Sequence, residues 1–140
     1  MPDAAPALFL IDAMNVIGSR PKTRWWRDRA GAMRRLLVDL EPWARAAEAA
    51  GSSVRVVFDG HPIAGVDGSP VAFEFAERPG PDGADDRIVE LVADAAAPGA
   101  LVVVSSDRAL RQRVQALGAQ VLGAGSFLAR VEDAGDPTAS

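Results

Sequence analysis

Three apolar runs constrain this chain more than any other feature: Ala7-Leu8-Phe9-Leu10-Ile11, Val54-Arg55-Val56-Val57-Phe58 and Leu101-Val102-Val103-Val104-Ser105. A strand with one wet face alternates apolar and polar residues, whereas a strand covered on both faces reads as a near-continuous apolar run. Between the runs lie stretches with helical spacing. Ala32, Met33, Leu36, Leu37 and Leu40 form one such set, and Ile88, Leu91, Val92 and Ala95 another. Strands alternating with helices predict an α/β fold, a three-layer α/β/α sandwich around a mainly parallel sheet of about five strands.

Read in order, the first strand covers 7–12, and a basic, Trp-containing connection covers 18–26. One helix is expected over 28–40 and a second from Pro42 to Ala50, because proline suits a first helical turn and Gly51 suits the position after a last one. Strand two is 54–59, and a Gly- and Pro-rich loop follows over 60–70. A third, edge strand is expected at 71–75, a flexible stretch at 79–83, and a helix at 85–96. Strand four (101–105), a helix (107–117) stopped by Gly118, a short strand (120–122) and a helical turn (126–132) complete the domain. The expectation is a single domain over 1–133 and a disordered polar tail over 134–140.

Each long apolar run leads into an acid. Asp12 and Asp59 close the first two runs, Asp107 stands two residues after the third, and Asp85 and Asp86 open a helix. Ligands of open parallel sheets bind at the carboxyl ends of strands, where the strand order switches. Right-handed crossovers would set the ends of strands one and four side by side and bring Asp12 and Asp107 together. Every acid has a plainer use. Asp12 and Asn15 suit a turn, Asp85 and Asp86 the positive end of a helix, and Ser106 or Asp107 an N-cap. Their joint occurrence is what points further. Gathered carboxylates repel one another unless a cation lies between them, and hard Mg²⁺ or Mn²⁺ prefers such oxygen ligands.

The pattern therefore implies a metal-dependent phosphodiesterase. Its candidate metal ligands are Asp12, Asp59, Asp85, Asp86 and Asp107, with Asp12, Asp86 and Asp107 as the catalytic set. Neighbouring helix residues point about 100° apart, so Asp85 and Asp86 cannot both face one ion. Asp86 is the expected ligand of the two.

The net charge of −4 conceals a segregation, for residues 20–35 carry +6 and the remainder −10. A local basic stripe is the footprint of a phosphate-backbone binder. Arg20, Lys22, Arg24 and Arg27 are its candidate phosphate contacts, and Trp25 and Trp26 could stack on bases. Near the acids, Asn15, Ser106, Arg87 and Arg108 are further candidates for substrate contact. The chain has no cysteine, which excludes disulfides and thiolate metal sites and suits a reducing interior. Residues 1–6 lack a basic signal region, and no stretch approaches the roughly 20 apolar residues of a membrane span, so a cytoplasmic protein is expected.

Three motifs taken together resemble the YacP-like branch of the NYN family, nucleases related to PIN domains. The family's opening segment reads Ile-Asp-Gly-Tyr-Asn-Val-Ile-Gly, against Ile11-Asp12-Ala13-Met14-Asn15-Val16-Ile17-Gly18 here. Phe58-Asp59-Gly60, Ala84-Asp85-Asp86-Arg87-Ile88, Val104-Ser105-Ser106-Asp107-Arg108 and Gly118-Ala119-Gln120-Val121-Leu122 with Ser126-Phe127-Leu128 also fit its pattern, in order. The resemblance implies a PIN-like fold and Mg²⁺- or Mn²⁺-dependent endoribonuclease activity on ribosome-associated or messenger RNA. It implies a site of Asp12, Asn15, Asp59, Asp85, Asp86 and Asp107. Ala13-Met14 replaces the usual Gly-Tyr, which bears on the turn and removes a tyrosine contact with substrate.

The rival reading is a non-catalytic RNA-binding or adaptor module that keeps the acids for capping. A phosphoacceptor receiver domain would want a lysine after the fifth strand, but the only lysine is Lys22. A dehalogenase-type phosphatase would want an Asp where Met14 stands, and a Walker ATPase a Gly-Lys-Ser/Thr that is absent.

Overall fold

The computed structural model describes residues 6–20, 24–77 and 83–135. In it the three apolar runs become adjacent strands, β1 (Leu8–Asp12), β2 (Ser53–Asp59) and β4 (Leu101–Val104). With the edge strands β3 (Phe73–Ala76) and β5 (Gln120–Leu122) they form one sheet of order β3-β2-β1-β4-β5. Every neighbouring pair is parallel, and Ile11 of the central strand lies opposite both Val56 and Val104.

The continuity of the runs follows from burial on both faces. Ile11, Val56, Phe58 and Val104 join a core with the helices α1 (Ala13–Gly18), α2 (Arg29–Ala49) and α5 (Ala124–Gly135). Leu10, Val57 and Val103 enter a second core with α3 (Gly83–Ala93) and α4 (Arg108–Ala116). The result is the expected α/β/α sandwich. Trp43 fastens one layer, meeting Phe9 of β1 edge-on at 5.0 Å and Phe127 of α5 at 4.8 Å between ring centroids.

Several local expectations are corrected. Helix α2 does not break at Pro42 but runs through it. Proline withholds a donor from the carbonyl four residues back, here that of Val38, a residue 61% exposed where water has access. On either side Leu40, Trp43 and Ala44 are buried, and their packing outweighs a proline cost of about 3 kcal/mol. Asp28 caps this helix, its Oδ1 accepting from the Gly31 N–H at 2.9 Å.

The third strand begins at Phe73 rather than Val71, and Val71 is buried in the same core as Val66 of the preceding loop. Helix α1 was not foreseen, and Trp25–Arg27 forms a 3-10 turn rather than an open connection. Helix α5 extends to Gly135, taking in two residues assigned to the tail, while 136–140 lie outside the described residues. Of the stretch at 79–83, Gly83 opens α3 and the rest lies outside the described residues. Among the described residues no helix is long and apolar enough to cross a membrane.

Since Trp43 ties α2 to both β1 and α5, Trp43→Ala is expected to lower unfolding free energy by about 3–5 kcal/mol. Urea denaturation followed by circular dichroism measures it; a loss below about 1 kcal/mol would contradict this account of the core.

Candidate active site

Because all five strands run the same way, their carboxyl ends share one edge of the sheet, and Asp12 stands at the middle of it. Asp12 is 4% exposed, one of two buried polar or charged residues among those described. The other is Ser105, which directly follows β4 on the neighbouring strand. Its hydroxyl donates to Asp12 Oδ2 at 2.8 Å and accepts from the Asp107 N–H at 3.0 Å. One serine thus joins the acid of β1 to the acid that opens α4. Sequence reading passed over Ser105; its only signal was a hydroxyl closing an otherwise apolar run.

The other acids hold helix starts. Asp107 Oδ1 accepts from the Leu110 N–H at 2.9 Å, capping α4. Asp59 Oδ1 accepts from the Ala84 N–H at 2.7 Å and so anchors the start of α3 to the end of β2. That anchoring carries Asp85, in the first turn of α3, to the same edge.

The four carboxylates share one electrostatic field. Burial raises the Asp12 carboxyl from its ordinary 3.8 to about 7. The Ser105 hydrogen bond opposes the rise, and the negative charges of Asp85, Asp59 and Asp107 add to it. Among the described residues, no three His, Asp or Glu side chains are drawn close enough together to grip an ion. Mutual repulsion of like charges is a physical reason for that spacing.

Asp85 and Asp86, both expected as ligands, are placed differently, Asp85 partly buried and Asp86 exposed. Asp86 is exposed and points across to α4, where its Oδ1 meets Arg113 at 3.1 Å. Arg87, expected near substrate, instead pairs with Glu74 of β3 at 2.7 Å and Glu90 at 2.6 Å. These partners, Arg113 for Asp86 and Glu74 for Arg87, lie on other elements, and periodicity alone does not reveal them.

Asn15 Oδ1 accepts from the Ser106 N–H at 2.8 Å, and Ser106 Oγ accepts from the Ala124 N–H at 2.8 Å. These two clamp the loop after β4 to α1 and α5, and Asn15 keeps its amide N–H groups for other partners. Ala13 sits as the fully buried first residue of α1, so the turn after Asp12 accommodates a side chain where the resembling family has glycine.

Of the basic candidates, Arg20 pairs with Asp39 of α2 at 2.9 Å. Arg24, Arg27 and Arg108 are exposed, and Lys22 lies outside the described residues. Trp25 is half-buried against the core, whereas Trp26 is 63% exposed. Arg29, which sequence reading did not assign to the site, donates from Nη2 to the Asp59 carbonyl at 2.9 Å.

The profile of the YacP-like NYN domain matches residues 9–139. The chain belongs to the YacP-like NYN domain family. The fold agrees. A crystal structure of Rae1 (YacP) from Bacillus subtilis is 25% identical with a TM-score of 0.72, covering 91% of this chain and 74% of that one. A point mutant of the same protein is 24% identical with a TM-score of 0.71, covering 91% and 76%. No curated protein matches this NYN domain in sequence.

The buried acid gives this NYN domain a testable pH dependence. A carboxyl raised from 3.8 to about 7 favours its protonated form when folded. Its ionisation therefore begins to cost stability above about pH 4, and the cost levels off above about pH 7. Without divalent ions, Asp12→Asn should match the parent near pH 4 and exceed it by on the order of 2–4 kcal/mol at pH 8. Thermal unfolding at the two pH values checks this, and parallel behaviour of the two proteins would contradict it.

Proposed function

We propose that this chain is an endoribonuclease that hydrolyses RNA phosphodiester bonds with Mg²⁺ or Mn²⁺ held by Asp12, Asp59, Asp85 and Asp107. The observation that supports it is the placement of those acids along one edge of the parallel sheet, with Ser105 hydrogen-bonded to both Asp12 and the Asp107 N–H and with Asp59, Asp85 and Asp107 all adding to the charge around the buried Asp12. The donor set fits the ion, being all hard oxygen from residues on four different elements. When bound, such an ion supplies Lewis-acid chemistry, neutralising phosphate charge and acidifying water near neutral pH.

The remaining steps belong to the chain itself. Ser105 fixes Asp12 by donating to one oxygen and fixes Asp107 through its backbone N–H. Asp59 and Asp107 use one oxygen each to hold a helix start, which sets the direction of the carboxylate. Asn15 holds the loop after β4 through its Oδ1, and its amide N–H groups would donate to a phosphate. Arg108 at the start of α4, with the exposed Arg24 and Arg27, offers positive charge to the RNA backbone, giving salt-dependent binding. Asp86 remains in its ion pair with Arg113.

The purified chain is expected to cleave an unstructured RNA in the presence of Mn²⁺. Asp12→Asn and Asp107→Asn should each lower the rate about a hundredfold or more while the fold is retained, and Ser105→Ala, acting through Asp12, about tenfold. Asparagine keeps the capping oxygen of Asp107, so the Asp107→Asn loss would reflect charge rather than helix geometry. A parent chain that binds RNA but cleaves none would leave the adaptor reading, in which the acids serve only as caps.

A further inference from the structure

We infer that Trp26 is a stacking platform for one unpaired base of the bound strand. The inference rests on the nuclease reading for the identity of the nucleic acid. The two adjacent tryptophans are not equivalent. Trp25 packs against the core formed with α1, α2 and α5, its Nε1 lying 3.7 Å from where a β-carbon on Gly18 would be. Trp26 is 63% exposed. The ring centroids are 6.1 Å apart and the ring planes cross at 83°, so neither ring lies flat on the other. Trp25 anchors the 3-10 turn, and Trp26 is left with its large aromatic surface open to solvent.

Position connects that surface to the acids. The 3-10 turn Trp25–Arg27 leads into α2, whose first residue, Arg29, donates to the Asp59 carbonyl at the end of β2. Three residues and one arginine side chain separate Trp26 from that carbonyl, a span under about 20 Å even if fully extended. A strand stacked on Trp26 would therefore reach the acids within a few nucleotides.

Charge identifies the occupant. Arg24 and Arg27 are exposed on either side of the tryptophans, within the segment that carries +6 in a chain of net −4. Positive charge interleaved with an exposed aromatic is the combination that holds single strands, where every unpaired base offers a face. Bases within a duplex are stacked on one another, and an exposed ring would meet only the backbone. An apolar protein surface would need no flanking arginines.

The test uses the full chain with Asp12→Asn, so that the probe stays uncut, and a fluorescein-labelled oligouridine RNA alongside an RNA duplex of equal length. Adding Trp26→Ala is expected to weaken single-strand binding by about five- to a hundredfold. Duplex binding should change little, Trp26→Phe should recover most of the affinity, and the thermal unfolding midpoint should be unmoved because the residue is exposed. Unchanged single-strand affinity would overturn the platform, as would an equal loss on both probes. Cleavage by the chain with Asp12 intact, in Mn²⁺, separates the two readings. Cleavage with binding that ignores Trp26 sinks the platform alone. Trp26-dependent binding without cleavage by the intact chain sinks the nuclease alone.

Discussion

A carboxylate buried at the end of a central strand is costly to ionise, and the arrangement around it follows from that cost. Asp12 ends β1, which is flanked by β2 and β4 in a sheet whose strands all run one way. Parallel pairing brings three strand ends to one edge, so the acids that close or follow them share that edge whatever their separation in sequence. Burial and these neighbouring negative charges hold the Asp12 carboxyl near 7, while a single hydroxyl, that of Ser105, eases it downward. The proposed chemistry grows from that imbalance.

The same residues serve fold and site together. Asp59 holds the start of α3 and Asp107 the start of α4, and both helices pack on one face of the sheet. Each of these bonds uses one carboxylate oxygen and leaves the other for a second partner. A capping role therefore does not compete with the proposed ligand role. Helix placement fixes the carboxylate, and the carboxylate fixes the helix.

Much of this architecture was legible in the residues, for identifiable reasons. Burial on both faces leaves a strong mark, so β1, β2 and β4 were readable from their apolar runs, and the strand order then brought Asp12 toward Asp107. Features that depend on tertiary packing left weaker marks. Pro42 signals a helix start by local rules, but the burial of Leu40 and Trp43 carries α2 through it. The partners at the start of α3, Asp59 for the Ala84 N–H and Arg113 for Asp86, are remote in sequence and left no local mark. Arg87 reads as a cation beside acids, yet Glu74 on the edge strand β3 engages it. Ser105 was hidden by its place in an apolar run, although that burial is what makes its hydroxyl matter.

The central claim is that Asp12, Asp59, Asp85 and Asp107 enclose one shared cation site. Crystals grown with Mn²⁺ test it most directly, through an anomalous difference map recorded near the manganese absorption edge. The claim requires a strong peak at the carboxyl edge of the sheet, about 2.0–2.2 Å from an Asp12 oxygen and from oxygens of others in that set. A well-ordered map with no peak there, or with manganese bound only elsewhere on the surface, would contradict it.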